Sequence, residues 1–405
     1  MDIDRPPQTK SYRALLGRLK EHPLARVGPG LITGVADDDP SGIATYSQAG
    51  AQFGLNMLWT MPLAFPLMAA VQAMCANLGR VTGKGLAADV AAMGEVAELV
   101  SGIDRHLMTA CFVFGTLLLQ VFVPYHRYVF FLKWLTVSLL AYAAVLLTVH
   151  VPWSEVALRT LWPHLTLNPN AAAVIVGVFG TTISPYLFFW QASEEVEEMQ
   201  ANGGSAALVN DAGAAPTELR RIRWDTWTGM FYSDVTAFFI ILATAVTLHV
   251  AGVTDITTAA QAASALRPLA GNFAYILFAL GILGVGLIGV PVLAGSGAYA
   301  LSEAMGWREG LERKVRDARG FYAIIAVSVL AALAIQYSPI SPMKALFWSA
   351  VINGVVAVPL MVVILILVSR KSVMGAFTAS RPLVVLGSIA TLVMGLAAVL
   401  MLLPS

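Results

Sequence analysis

Charged side chains are scarce in this chain. Asp, Glu, Lys and Arg make up 12% of its 405 residues, about half the share of an ordinary soluble domain. So few charges cannot cover the surface of a chain that is 58% hydrophobic with a mean hydropathy of +0.73. Lipid must do the covering. Cysteine is scarcer still. Cys75 and Cys111 are the only two, both in apolar runs, which argues against a disulfide framework and against a thiolate metal centre. A basic excess is also missing: the formal net charge is +1, so no nucleic-acid partner is expected. The six histidines show no paired spacing, and no Ser/His/Asp or HExxH grouping occurs. No enzyme and no resident cofactor is therefore expected. The stretch "MDIDRPPQTKSYRALLGRLKEHPLARVG" (1–28) is polar and lacks the early apolar core of a cleavable signal. It reads as a cytoplasmic tail ahead of a single transmembrane domain, 29–405.

What the chain has instead is long apolar runs. Runs of about 20 residues mark membrane-spanning helices. They fall at 29–53, 55–78, 107–124, 128–149, 171–193, 227–250, 273–302, 320–337, 345–368 and 381–403. A weaker, alanine-rich segment at 85–102 carries Asp89, Glu95 and Glu98. Its 18 residues would reach about 27 Å as a helix, barely a bilayer core. Basic residues gather on the cytoplasmic side of membrane proteins. If 85–102 crosses, 21 of the 25 Lys and Arg lie on the side of the N-terminus; if it does not, the split is 12 to 13. The charge pattern therefore predicts eleven crossings, with the N-terminus in the cytoplasm. The chain reads as an all-α, multi-pass protein of the cell membrane, with the bilayer as its first partner.

Two of the spans are interrupted. "GLITGVADDDPSGIATYSQAGAQFG" (30–54) sets Asp37, Asp38 and Asp39 directly before Pro40, inside the first span. "GTTISPYLFFWQASEEVEE" (180–198) sets Ser184 before Pro185 in the sixth. Proline removes an amide and clashes with the preceding turn. The two breaks lie five spans apart in order, as an inverted five-plus-five repeat requires. Transporters of that design unwind one helix in each half near the midplane, where freed carbonyls and a carboxylate bind cations.

The same residues resemble the Nramp family of divalent-metal transporters. In that family Asp-Pro-Gly-Asn precedes a Gln-Ala-Gly-Ala run, which Gln48, Ala49, Gly50 and Ala51 match here. "ANLGRVTGKGLA" (76–87), "GTTISPYLFFWQ" (180–191) and "TWTGMFYSDVTAFFIILATAVTLH" (226–249) resemble the family's segments after the second span, in the sixth and in the seventh. The resemblance implies a LeuT-like fold with an additional C-terminal helix, and metal uptake coupled to protons. It implies Asp39 as the metal-binding carboxylate, with backbone carbonyls of Ala36 and Thr181 facing the ion. Four departures stand out. Gly42 replaces the ligand asparagine, Ser184 replaces a methionine, and Tyr186 replaces a histidine. The third span reads as shortened, with the family's acidic pair surviving only as Asp89-Val90-Ala91-Ala92. Asp89 is the candidate proton-pathway residue.

Thioether sulfur favours transition metals over hard cations. With Ser184 in its place, the expected ligand set is Asp39, the carbonyls of Ala36 and Thr181, and the Ser184 hydroxyl. An all-oxygen site of one carboxylate with room for water suits Mg²⁺ and Mn²⁺, and resembles the Nramp-related magnesium transporters. Two other readings compete. One is an organic-solute transporter on the same fold, which uses a half-helix N-terminus to meet a substrate carboxylate. The other is a non-transporting membrane protein, suggested by the shortened third span. Asp37, Asp38, Asp234 and Asn353 could also face the site, or could hydrogen-bond within the bundle. The acid run "SEEVEEMQ" (193–200) reads as a solvated face. "GVGLIG" (284–289) reads as helix packing rather than a dinucleotide fingerprint, since no strand precedes it.

Overall fold

The computed structural model describes residues 29–82, 137–164, 168–201, 215–311, 313–335 and 341–402, with residues 207, 208 and 213 besides. The N-terminal tail, the segment 85–102 and the span at 107–124 lie outside the described residues. Among those described there are helices and no strand. The longer helices are α1 (Pro29–Asp37), α2 (Pro40–Phe53), α3 (Thr60–Thr82), α4 (Trp153–Leu161), α5 (Pro169–Thr182), α6 (Pro185–Ala201), α7 (Ala215–Thr244), α8 (Ala274–Met305), α9 (Arg319–Ile335), α10 (Pro342–Ser369) and α11 (Arg381–Leu402). Among the described residues, six helical stretches are long and apolar enough to span a membrane, α5 with α6 counting as one. The first expected span is present as its two halves, α1 and α2.

The helix ends sort into two sets. At one end Arg80 of α3 pairs with Glu218 of α7 at 3.3 Å. Arg221 of α7 pairs there with Glu195 and Glu198 of α6 at 2.5 and 3.0 Å. Val81, Ala215 and Met374 form one small apolar cluster beside them. At the other end the His249 ring meets the Ala51 carbonyl at 2.8 Å. Gln48 bonds the 254–256 segment, and Lys344 pairs with Asp255 at 3.4 Å. The chain thus leaves α3 at the Arg80 end and enters α5 at the opposite one. The Arg80 end also carries Arg220, Arg223, Arg308 and Arg370, while the Lys344 end carries Arg159 and Arg267.

α1 with α2 and α5 with α6 therefore run antiparallel, each broken in the middle. Their packing partners are exchanged as an inverted repeat demands. α1 lies on α7, and α6 lies on α3. The close approaches are made by glycine. A Cβ at Gly34 would run into the Gly229 backbone of α7, and one at Gly79 into the Ala192 backbone of α6. α5 packs on α10 in the same way, through Gly180 and Gly354. Around these contacts the buried aromatic residues Tyr46, Phe179, Phe188 and Trp190 fill the interior. The outer faces of α10 and α11 expose Val362, Val363, Leu392 and Leu396, which is apolar surface for lipid.

The acid run at 193–200 is not a solvated face. Glu195 is fully buried, and Arg221 holds it. Glu197 accepts from the Tyr299 hydroxyl of α8 and from the Leu311 amide. The run lies where α6, α7 and α8 converge, so its carboxylates are used to tie helix ends together.

Candidate cation site at the two helix breaks

The first break is one turn of non-helical chain at Asp38 and Asp39. Asp39 is extended, with φ −61° and ψ 171°, and caps α2. Its Oδ1 accepts from the Gly42 amide at 2.7 Å and from the Ser41 hydroxyl at 2.6 Å. Pro40 is the first residue of α2, where an amide would have no intrahelical partner. The proline thus begins a second helix instead of kinking a continuous one. The second break repeats the device. α5 ends at Thr182, Ile183 and Ser184 bridge the gap, and Pro185 begins α6.

The two breaks meet through Tyr186. Its hydroxyl donates to Asp39 Oδ2 at 3.0 Å, so three donors serve one fully buried carboxylate. Ala36 is buried in the last turn of α1, in the same apolar cluster as Tyr186. Ser184 is turned back on the end of α5, its hydroxyl 2.6 Å from the Thr181 carbonyl, with the Gly180 carbonyl at 2.8 Å as the alternative acceptor for its one proton. The Thr181 carbonyl therefore carries a hydrogen bond here, while the Thr181 hydroxyl, fully buried, has no partner. α8 closes the remaining side: a Cβ on Gly289 would sit 3.4 Å from the Asp39 Cβ. That glycine ends the "GVGLIG" run, which is helix packing. Asp89 lies outside the described residues.

Asp37 and Asp38 turn away from Asp39 toward α7. Ser233 Oγ lies 2.6 Å from Asp37 Oδ2 and 3.2 Å from Asp38 Oδ1. A hydroxyl has one proton, so it can serve only one of the two at a time. Asp37 Oδ1 and Asp38 Oδ2 have no partner, nor do Asp234 Oδ1 and the Tyr46 hydroxyl. Asp37 and Asp38 are 0% and 1% exposed, and Asp234 is 7%. Among the described residues no Lys or Arg pairs with any of these acids. Burying carboxylate this way is costly unless a cation or a proton compensates it. Sequence reasoning singled out Asp234 but missed Ser233 and Tyr46. Neither residue type is unusual in a membrane helix, and only packing brings them to the break.

Among the described residues no three His, Cys, Asp or Glu side chains form a ready-made metal cage. What the breaks offer is one capped carboxylate surrounded by neutral oxygens. Access is uneven. On the Lys344 side a cleft of about 330 Å³ is lined by Ala44, Gln48, Gln52, Asn170, Lys344 and Phe347, among others. It stops short of Asp39, which has no exposure. On the Arg80 side the ends of α3, α6 and α7 are tied by the ion pairs of Arg80 and Arg221. Asn353 is half-buried on α10 beside Gly354, the glycine that packs on α5.

Comparison with known proteins gives a consistent result. The sequence profile of the family described as "Natural resistance-associated macrophage protein-like" (Nramp) matches residues 30–92 and 86–404. The two matches overlap at 86–92, where the third span reads as shortened. A protein of Acidiphilium cryptum named "Divalent metal cation transporter MntH" is 26% identical over 445 aligned positions, covering 99% of this chain and 96% of its own. A Klebsiella pneumoniae protein of the same name is 26% identical over 294, covering 65% and 68%. Two solved structures of the manganese transporter of Eremococcus coleocola superpose with TM-scores of 0.66 and 0.69. They cover 98% of this chain and 88% of theirs at 16% identity, a likeness of fold.

Proposed function

Because the chain belongs to the Nramp family, we propose that it carries divalent metal cations across a membrane by alternating access. The observation that carries this is the meeting of two antiparallel broken helices at a buried aspartate, Asp39. Broken half-helices at the midplane are where such transporters hold ions. The curated relatives named as divalent metal cation transporters support the same reading. A substrate with its own carboxylate fits poorly, since Asp37, Asp38, Asp39 and Asp234 would repel it.

Asp39 is the principal ligand. Ala36 and Thr181 contribute oxygen from the two breaks, and Ser184 adds its hydroxyl on turning from α5. These groups are all oxygen, so the cargo is a hard divalent cation, Mg²⁺ or Mn²⁺, that keeps part of its water shell. The basic, Arg80-bearing end faces the cytoplasm of the cell, and the cleft beside Lys344 opens outward.

Reconstituted in liposomes, the protein is expected to take up Mn²⁺, with excess Mg²⁺ competing. Asp39→Ala is expected to abolish uptake while the purified protein still elutes as a single species. A wild type that moves neither ion overturns the proposal. The ion preference has its own test in Ser184→Met, which restores a soft sulfur ligand. This variant should resist Mg²⁺ competition better than wild type. If wild-type Mn²⁺ uptake ignores a large Mg²⁺ excess, the hard-ion assignment is wrong.

A further inference from the structure

Gly42 stands in the first turn of α2 with no side chain to offer. A Cβ built there would lie 3.1 Å from the Asp37 carbonyl oxygen and 3.2 Å from Thr181 Oγ1. Both contacts are tighter than ordinary packing allows. Those two oxygens, one from each broken helix, border the volume that a side chain would fill, together with the Tyr46 ring at 3.2 Å. The Gly42 amide meanwhile donates to Asp39 Oδ1 at 2.7 Å. The notch is therefore next to the carboxylate that the proposed function assigns to the ion.

The Thr181 hydroxyl at this notch is fully buried and has no hydrogen-bond partner. Its own carbonyl is already engaged by Ser184 at 2.6 Å. Threonine hydroxyls in helices commonly bond back to the preceding turn, as Thr182 does to Val178 at 3.0 Å and Thr45 to Ser41 at 2.8 Å. Thr181 does not, although it lies in the same helix as Thr182. An unmade hydrogen bond at a buried hydroxyl is costly. In a hard-cation site, a buried hydroxyl left unpartnered at a notch beside a capped carboxylate is suited to the ion or to one of its waters.

We propose that Thr181 Oγ1, backed by the Asp37 carbonyl, takes the place of the amide side chain that Gly42 lacks. The hydroxyl reaches the cation from the α5 side of the notch, opposite Asp39, directly or through a retained water. It makes Thr181 a determinant of affinity for hard divalent cations. This inference rests on the reading of the protein as a divalent-cation carrier.

The test is initial-rate uptake of Mg²⁺ and Mn²⁺ by the full chain in proteoliposomes. Thr181→Val keeps the shape and removes the hydroxyl. It should raise the apparent KM for Mg²⁺ roughly tenfold, the weight of one lost contact to a charged group. Thr181→Ser, which restores the hydroxyl, should recover much of that affinity. Gly42→Ala puts a methyl against the same two oxygens and against the Tyr46 ring, so its effect and that of Thr181→Val should add only in part. If Thr181→Val does not elute as a single species, Thr181→Ala replaces it in the comparison. A hydroxyl-free variant whose KM stays within about twofold of wild type overturns the inference, by the same scale. So does a loss that Thr181→Ser fails to recover, or full additivity with Gly42→Ala. A wild type that transports neither ion overturns the carrier reading instead, and the two failures are told apart by that control.

Discussion

Ser233 is the residue on which the acid cluster depends. One hydroxyl stands between two buried carboxylates, Asp37 and Asp38, on a different helix from theirs. Ser233→Ala removes that donor without adding bulk. Leaving a buried acceptor unserved costs about 1–3 kcal/mol, more for a charged group. The variant is expected to show a lower midpoint in thermal unfolding in detergent. The midpoint should rise more on adding Mn²⁺ than it does for wild type, because the ion's charge then offsets carboxylates that Ser233 no longer serves. Equal midpoints would mean that Ser233 is a bystander. The contrast with Asp39 is instructive. That carboxylate has three donors of its own, so it is preorganised at the break without help from α7.

At the scale of the helix, the breaks hold their shape because α1 is clamped along α7. Asp225 of α7 caps α1 by accepting from the Gly30 amide at 2.6 Å, and Gly34 lies directly on the Gly229 backbone. Any side chain at position 34 must push two backbones apart. Gly34→Ala should therefore abolish uptake and lower stability. Gly252→Ala is the control. Gly252 has φ +78° with nothing within 4 Å of its would-be Cβ. Its substitution costs only the backbone strain of a left-handed alanine, about 1 kcal/mol. Uptake by the Gly252 variant is expected near wild type. If Gly34→Ala transports normally, the α1–α7 contact does not position the site.

For the molecule as a whole, the sorted helix ends make a prediction about sidedness. Ser372 lies just past α10 at the Arg80 end, and Thr254 lies at the Lys344 end; both are exposed. With Cys75 and Cys111 replaced by alanine, Ser372→Cys and Thr254→Cys can be probed in intact cells with an impermeant thiol reagent. Thr254→Cys should label from outside, and Ser372→Cys only after the membrane is opened. The reverse pattern would invert the orientation, and labelling of both from outside would contradict the separation of the ends.

The amino-acid sequence by itself determined the solvent of this protein, its helical class and the places where two helices stop. Those are local or summed properties: composition excludes water from most of the surface, and each proline forbids the preceding turn wherever it sits. The place of Asp39 at the break was legible for the same reason, being fixed by its neighbour Pro40. What tertiary structure decided is which groups meet at the break. Tyr186 reaches Asp39 across 147 positions of chain, and Ser233 reaches Asp37 across 196. The turn of Ser184 onto the end of α5, which leaves the Thr181 hydroxyl open, depends on the path of one unwound turn. The burial of the acid run beside Arg221 followed from where three helices converge, although its composition reads as solvated. No pattern along the chain encodes such meetings, because they are set by how antiparallel helices pack at glycine contacts and by the single proton that each hydroxyl can give.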